Sequence, residues 1–479
     1  MADDNAPAPR RWYRALGPGL ITACVVIGPG SILTSSKVGA DNGFALSWVV
    51  VASVLFMLAF TTMAARLGVM AKDSPGTMIS DCAGRWLAML IGLSVFFIAS
   101  SFQFGNNLGV HTAFNAYVKF DYIVILFNGA AIAFLFYFKN LYRALEKLMM
   151  GFVALMLLAF AANLYYAKPN LSEWIVGLIP QSTPALIIEF ALWGCLAVVG
   201  FIGRKHFWNG TSRSAEWRNA FLCIFLAALF FWRLSHLNII TAGETKIDIT
   251  VLGLVGTTFV IAAAYFQIYL VRQKGIQKEG LSGSLVDSRV GAIIMALITL
   301  MIMGTAASVL RGKELNDAGE VAQQLQPLFG DWGKGLFCLG LFSAAYSSFL
   351  INSMIGGFML SDGLGLGSSP DDKWPRRLTA VVLLAGMGVA LVVIKTDTKP
   401  LAAIVMAQAV TVIAGPLLAG ALLWLCNRKE YMGDQCNRPF LNVVGGLGFI
   451  VLLVMAWNTA FNKVLPKVID WMESPLVGG

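Results

Sequence analysis

The sequence predicts an all-α polytopic membrane protein, and three observations predict it. Hydrophobic residues make up 57% of the 479 residues and charged residues only 13%, against roughly 25% charged in soluble domains. Apolar runs close to the ~20 residues that cross a bilayer core as helix recur along the whole chain. Lys and Arg collect in the short loops between those runs, the distribution that orients membrane proteins. The net charge of +9 is therefore topological and not a nucleic-acid footprint. The expected partners are the lipid bilayer and a small-molecule solute, with no nucleic acid.

Taken in order, residues 1–14 form a polar tail in which Arg10, Arg11 and Arg14 precede the first apolar run. No cleavable signal is visible, so the tail is expected on the cytoplasmic side of a bacterial inner membrane. Crossings are predicted near 15–40, 44–70, 84–117, 121–138 and 146–166, a first set of five within 15–166. A second set within 248–427 is predicted near 248–272, 288–310, 333–361, 377–396 and 400–427. An eleventh, near 439–461, belongs to a final segment, 428–479. The connecting segment 167–247 holds two further apolar stretches, 184–203 and 219–240, joined by a loop carrying Arg204, Lys205, Arg213 and Arg218. An even insertion leaves the later crossings correctly oriented. Thirteen crossings are therefore expected if both stretches span, although Arg233 and His236 also suit the second to an interface.

The seven cysteines are scattered without a CxxC pair, which gives neither a disulfide framework nor a zinc site. No P-loop, HExxH or usable nucleophile motif is present, so the chain reads as a non-enzyme without a cofactor.

Chemistry concentrates at Ile27-Gly28-Pro29-Gly30-Ser31, in the middle of the first apolar run. Pro29 has no N–H and its ring clashes with the preceding turn, while the flanking glycines weaken the helix further. Unpaired backbone at bilayer depth is tolerated only against protein or a wet cavity. Helices interrupted in this way mark the substrate sites of transporters built from inverted repeats.

On these residues the chain resembles a known family. Gly28-Pro29-Gly30-Ser31, followed by Ala40, Gly43, Trp48 and Ala64-Ala65-Arg66-Leu67-Gly68-Val69, is similar to the first two helices of NRAMP (natural resistance-associated macrophage protein) transporters. The similarity runs on through Lys168-Pro169, Gly177 to Pro180, Gly256-Thr257-Thr258 and Asp287, and through Ser343 to Ser348. It ends with Gln408, Pro416, Met432-Gly433 and Asn442. The resemblance implies a LeuT-type fold, two inverted five-helix repeats with helices 1 and 6 broken.

The departures bear on the cargo. The family carries Asp-Pro-Gly-Asn at the first break, whose Asp and Asn bind a transition metal together with a Met of helix 6. The aligned positions here are Gly28, Ser31 and Val260, and the family's Met-Pro-His-Asn becomes Val260-Ile261-Ala262-Ala263. A second family His becomes Gln267, and acidic residues linked to proton movement become Gln103 and Asn106. A dehydrated divalent ion needs anionic or several strong donors.

What remains is neutral: Ser31, Thr34, Ser35, Gln103, Asn106, Asn107, Thr257, Thr258, Gln267, Tyr346 and Gln408, with Gly28, Gly30, Val260 and Ala263 as small or apolar wall. Amides and hydroxyls both donate and accept. The set suits a neutral polyol, a sugar such as glucose, with Tyr265 or Phe104 as stacking surfaces, moved by alternating access without proton coupling. Two other readings stay open: a divalent metal (Mn or Mg), as in the family, and an amino acid whose carboxylate meets helix N–H groups at the break.

Overall fold

The computed structural model describes residues 17–138, 141–179, 249–315, 318–370, 372–396 and 414–459. The chain divides into two units, residues 1–179 with 249–479 and residues 180–248. The second unit, with both inserted stretches, lies outside the described residues, as do the N-terminal tail and Gln408.

The first crossing is two helices, α1 (Pro18–Val26) and α2 (Pro29–Asn42), bent by 59° at the predicted break. Pro29 is the first residue of α2, the position where its missing N–H costs nothing. Next come α3 (Ser47–Met70), the short α4 (Pro75–Ala83), α5 (Arg85–Asn115), α6 (Ile123–Tyr137), α7 (Leu141–Ala167) and α8 (Leu171–Gly177). Ser74 caps α4 by accepting the Thr77 N–H at 3.3 Å. Beyond the inserted unit, α9 (Ile249–Thr258) and α10 (Ile261–Gln273) are separated by Phe259 and Val260. The sixth crossing is thus interrupted although it contains no proline.

The remaining elements are α11 (Leu281–Val309), α12 (Ala318–Leu364), α13 (Lys373–Thr396), α14 (Ala414–Cys426), α15 (Lys429–Met432) and α16 (Pro439–Thr459). Among the described residues eight helices are long and apolar enough to cross a membrane, and the bent α1–α2 pair makes a ninth span. α7, α11 and α12 begin earlier than the expected 146, 288 and 333. Polar turns continue each helix beyond its apolar stretch, where a hydropathy window no longer sees it.

The most apolar stretch of α9–α10 is wholly buried, whereas that of α16 is only 22% buried. The second interrupted crossing therefore lies at the centre of the bundle and α16 at its rim. Small residues let the helices touch, as helix packing in lipid requires. A side chain on Gly92 of α5 would fall 2.7 Å from the Met359 carbonyl of α12, and one on Gly109 would fall 2.6 Å from Pro29 Cβ. The second contact presses α5 against the break itself.

Candidate functional site

At the break, Gly28 is extended (φ −114°, ψ 178°) and its N–H reaches back to the Val26 carbonyl at 3.2 Å. Its carbonyl starts α2 by accepting the Ile32 N–H at 3.1 Å. A Cβ on Gly28 would lie 3.2 Å from Ser348 Oγ and 3.4 Å from Asn106 Oδ1, so α12 and α5 both converge on this glycine. Beside it is a small cavity lined by Val25, Val26, Gly28, Gly30 and Ser31 from the broken crossing. Ser101, Phe102, Gly105 and Asn106 of α5 and Thr257 of α9 complete the wall. Its ≈ 20 Å³ is room for a water or so in this conformation. A second small cavity, apolar and lined by Gly256, Phe259, Val260 and Ile261 among others, shares Phe102 with the first. Phe102 is thus the partition between spaces at the two interrupted crossings.

The predicted site residues divide. Gly28, Gly30, Ser31, Asn106 and Thr257 line the first cavity and Val260 the second. Ser31 Oγ is buried without a hydrogen-bond partner among the described residues, as are Ser35 Oγ and Thr258 Oγ1. Thr257 spends its hydroxyl on the Gly253 carbonyl of its own helix at 2.8 Å. Gln103 and Asn107 fall on another face of α5, outside the cavity linings. Asn107 Nδ2 donates to the Gln103 carbonyl at 2.8 Å, and Asn107 Oδ1 accepts from Asn128 of α6 at 2.7 Å. Gln103 packs on Gly386 of α13 and accepts a long 3.4 Å bond from Asn106 Nδ2.

Gln267 is a strut. It accepts from Thr22 of α1 at 3.2 Å and donates to Ser288 of α11 at 2.7 Å. Tyr346 stands in an aromatic cluster with Phe127, Phe152, Phe342 and Phe349. Ala263, Phe104 and Tyr265 are core, and Phe102 is the aromatic residue at the cavity. Family alignment points to positions 103 and 106, and residue type alone to 107. The lining of α5 follows instead the helical spacing 98, 101, 102, 105, 106, a period of 3.6 that was available in the sequence.

Among the described residues three charged side chains are buried, Arg66, Asp287 and Asp362, and none lines either cavity. Asp287 of α11 caps α1, accepting the Gly17 N–H at 2.9 Å and the Gly19 N–H at 2.7 Å. Asp362 of α12 accepts from Tyr269 of α10 at 2.6 Å, from the Gly76 N–H of α4 at 2.7 Å and from Ser74 Oγ. Lys274, just past α10, pairs with Glu146 of α7 at 2.9 Å. One half of each interrupted crossing, α1 and α10, is thus tied to the rest of the bundle. Arg66 donates to the Gln435 and Cys436 carbonyls and fixes the turn after α15. His111, beyond the cavity, meets Asp121 at 3.2 Å.

A bundle of apolar helices, interrupted in two crossings beside a small cavity that several polar side chains reach, is the architecture of a secondary membrane transporter. The profile of the Natural resistance-associated macrophage protein-like family matches residues 19–203 and 217–462. The chain belongs to this family. It is 22% identical over 458 residues to the divalent metal cation transporter MntH of Deinococcus radiodurans, covering 94% of this chain and 89% of the relative. MntH of Klebsiella pneumoniae (strain 342) is 22% identical over 466 residues, 96% of either chain. The crystal structure of the Eremococcus coleocola manganese transporter in complex with an aromatic bis-isothiourea substituted compound is similar at a TM-score of 0.72 and 16% identity. The match covers 98% of this chain and 91% of that one. The fold is the LeuT-type arrangement of that family.

Proposed function

We propose that this family member carries a small neutral polar solute, a hexose such as glucose, by alternating access and without proton coupling. The proposed setting is a bacterial inner membrane with the N-terminus in the cytoplasm. One observation carries the reading: the cavity at the Gly28–Ser31 break is walled by hydroxyls, an amide, backbone, one aromatic ring and two valines, with no ionisable side chain. Among the described residues no group of three or more His, Cys, Asp or Glu is placed to hold a metal ion. A divalent ion there would lose its hydration without anionic compensation. Sugar hydroxyls both donate and accept, which matches Ser31, Asn106 and the free backbone at the break. The C–H face of a pyranose matches Phe102. In this conformation neither small cavity holds a hexose, so the reading requires the alternating-access movement to open the space around the break.

The second reading, a divalent cation, is favoured by the names of the relatives. Uptake into proteoliposomes separates the two. The sugar reading expects saturable flux of labelled glucose, competed by unlabelled hexoses and unaffected by Mn²⁺. Saturable Mn²⁺ flux with no sugar flux would overturn it.

A further inference from the structure

We propose that Lys37 of α2 is a charge filter on the approach to the cavity at the break: it keeps cations out and lets an uncharged solute pass. This role rests on the break being where the solute lies, and not on that solute being a sugar. α2 runs as regular helix from Pro29 to Asn42. Seven helical residues turn through about 700°, within ~20° of two full turns, and rise ~10 Å. Lys37 therefore stands two turns beyond Gly30 on the same side of α2, and Gly30 lines the cavity.

Between residues 29 and 40 every residue of α2 is buried except Lys37, which is half-buried. α2 packs against α5, α9, α11 and α12, so its one uncovered point opens among helices. Nine residues past Gly28, Lys37 lies ~13 Å along α2 from the break, still inside a hydrocarbon half-layer of ~15 Å. An ammonium at that depth requires a counter-charge or water. Among the described residues Lys37 forms neither an ion pair nor a hydrogen bond. Asp41, one turn further on, has a partner of its own. The opening at Lys37 is therefore a wet approach, and the ammonium stands in it uncompensated.

The neighbouring charges have the same sign. The positive end of the α2 dipole lies at the cavity. At the other end of α2 the Arg311 guanidinium lies 3.7 Å from where a side chain on Gly43 would begin. A cation moving along α2 toward the break is repelled throughout, and a divalent ion twice as strongly as a monovalent one. An uncharged solute meets no such barrier. Lys37 is too far from the cavity to be a ligand there, so its effect is on which solutes arrive.

The test measures the potential at the cavity with charged thiol reagents. Ser31→Cys, a near-isosteric change at a cavity-lining position, is made in the full-length protein and reconstituted in nanodiscs. Modification of its peptide by anionic sulfonatoethyl and cationic trimethylammonioethyl methanethiosulfonate is followed by mass spectrometry. The ratio of the two rates cancels changes in thiol reactivity and access. Adding Lys37→Gln is expected to lower the anionic-to-cationic ratio by about threefold or more at low salt. Threefold is the value for one charge ~10 Å away across water. Lys37→Arg is expected to keep the ratio, and Cys82, on α4 and partly exposed, to show no change in any variant. An unchanged ratio in a folded Lys37→Gln protein overturns the filter. So does the absence of any modification of Ser31→Cys, because the cavity would then have no approach for Lys37 to guard. Absent glucose flux in wild type would overturn the sugar reading alone, since the ratio is read without any cargo.

Discussion

Asp287 is expected to hold α1 in place, and removing it is expected to release that half-helix. Its two oxygens each accept one backbone N–H, from Gly17 and Gly19, at 2.9 and 2.7 Å, and the residue is fully buried. Hydrogen bonds to a charged group contribute about 1.5–3 kcal/mol each. Asp287→Ala therefore removes roughly 3–6 kcal/mol of anchoring. Some of it returns, because the freed N–H groups find water once the end of α1 lifts. A net bias of about 3 kcal/mol remains, or about two orders of magnitude in the ratio of released to docked α1. Cys24 is a built-in reporter, since it lies in α1, is fully buried and directs its thiol at the Met149 carbonyl. The assay is maleimide labelling of reconstituted protein, followed at the Cys24 peptide by mass spectrometry. The partly exposed Cys82 and Cys436 serve as internal controls. Labelling of Cys24 is expected to accelerate strongly in Asp287→Ala and by an intermediate amount in Asp287→Asn, whose amide oxygen still accepts one bond. A folded Asp287→Ala protein whose Cys24 stays as protected as in wild type would refute the anchoring argument.

Three further outcomes are expected. Asp362→Asn weakens the Tyr269, Ser74 and Gly76 bonds and should lower stability by about 2–4 kcal/mol, read as a lower melting temperature and faster proteolysis near residue 74. Gly28→Asp places a carboxylate at the break, where the extended backbone accepts a side chain once Ser348 Oγ, 3.2 Å from the new Cβ, gives by a few tenths of an ångström. It should abolish neutral-solute flux and make the melting temperature rise with added Mn²⁺, a response that wild type should lack. Gln267→Leu cuts the Thr22–Gln267–Ser288 strut and should cost about 1–3 kcal/mol while leaving KM within about twofold; a large change in KM with unchanged stability would restore Gln267 as a solute ligand.

The first break was legible because its cause is local: Pro29 cannot donate and Gly28 and Gly30 cannot stiffen the turn, whatever surrounds them. The interruption at Phe259–Val260 was not legible in this way, for no residue there forbids a helix. It follows from tertiary packing, with Phe259 wedged against Phe56 and Phe60 of α3 at ring distances of 5.9 and 5.4 Å. Site residues behaved similarly. Ser31 and Asn106 were found because residue type and alignment agreed. Asn107 and Gln267 have the same hydrogen-bonding chemistry and bond between helices, while Gln103 packs on α13 with its Nε2 buried and unpartnered among the described residues, a distinction that depends on which helix lies opposite. Ser348 belonged to a stretch singled out only for its family likeness. Its contact with α1 joins positions more than three hundred residues apart, and no local pattern reports it.

The placement of charge explains how one scaffold can accommodate different cargo. The carboxylates buried among the described residues, Asp287 and Asp362, bind backbone and hydroxyl groups where α1 and α10 meet the rest of the bundle. Neither touches the cavity at the break. At the centre, polarity comes from the broken backbone and from uncharged side chains. A residue change at Gly28 or Ser31 alters what can lie in the cavity, yet leaves intact the Asp287 and Asp362 contacts that dock the half-helices. Recognition and movement are therefore separable in this fold. Gly28→Asp tests that separation directly, because it should change the ligand that stabilises the protein while Cys24 labelling remains as slow as in wild type.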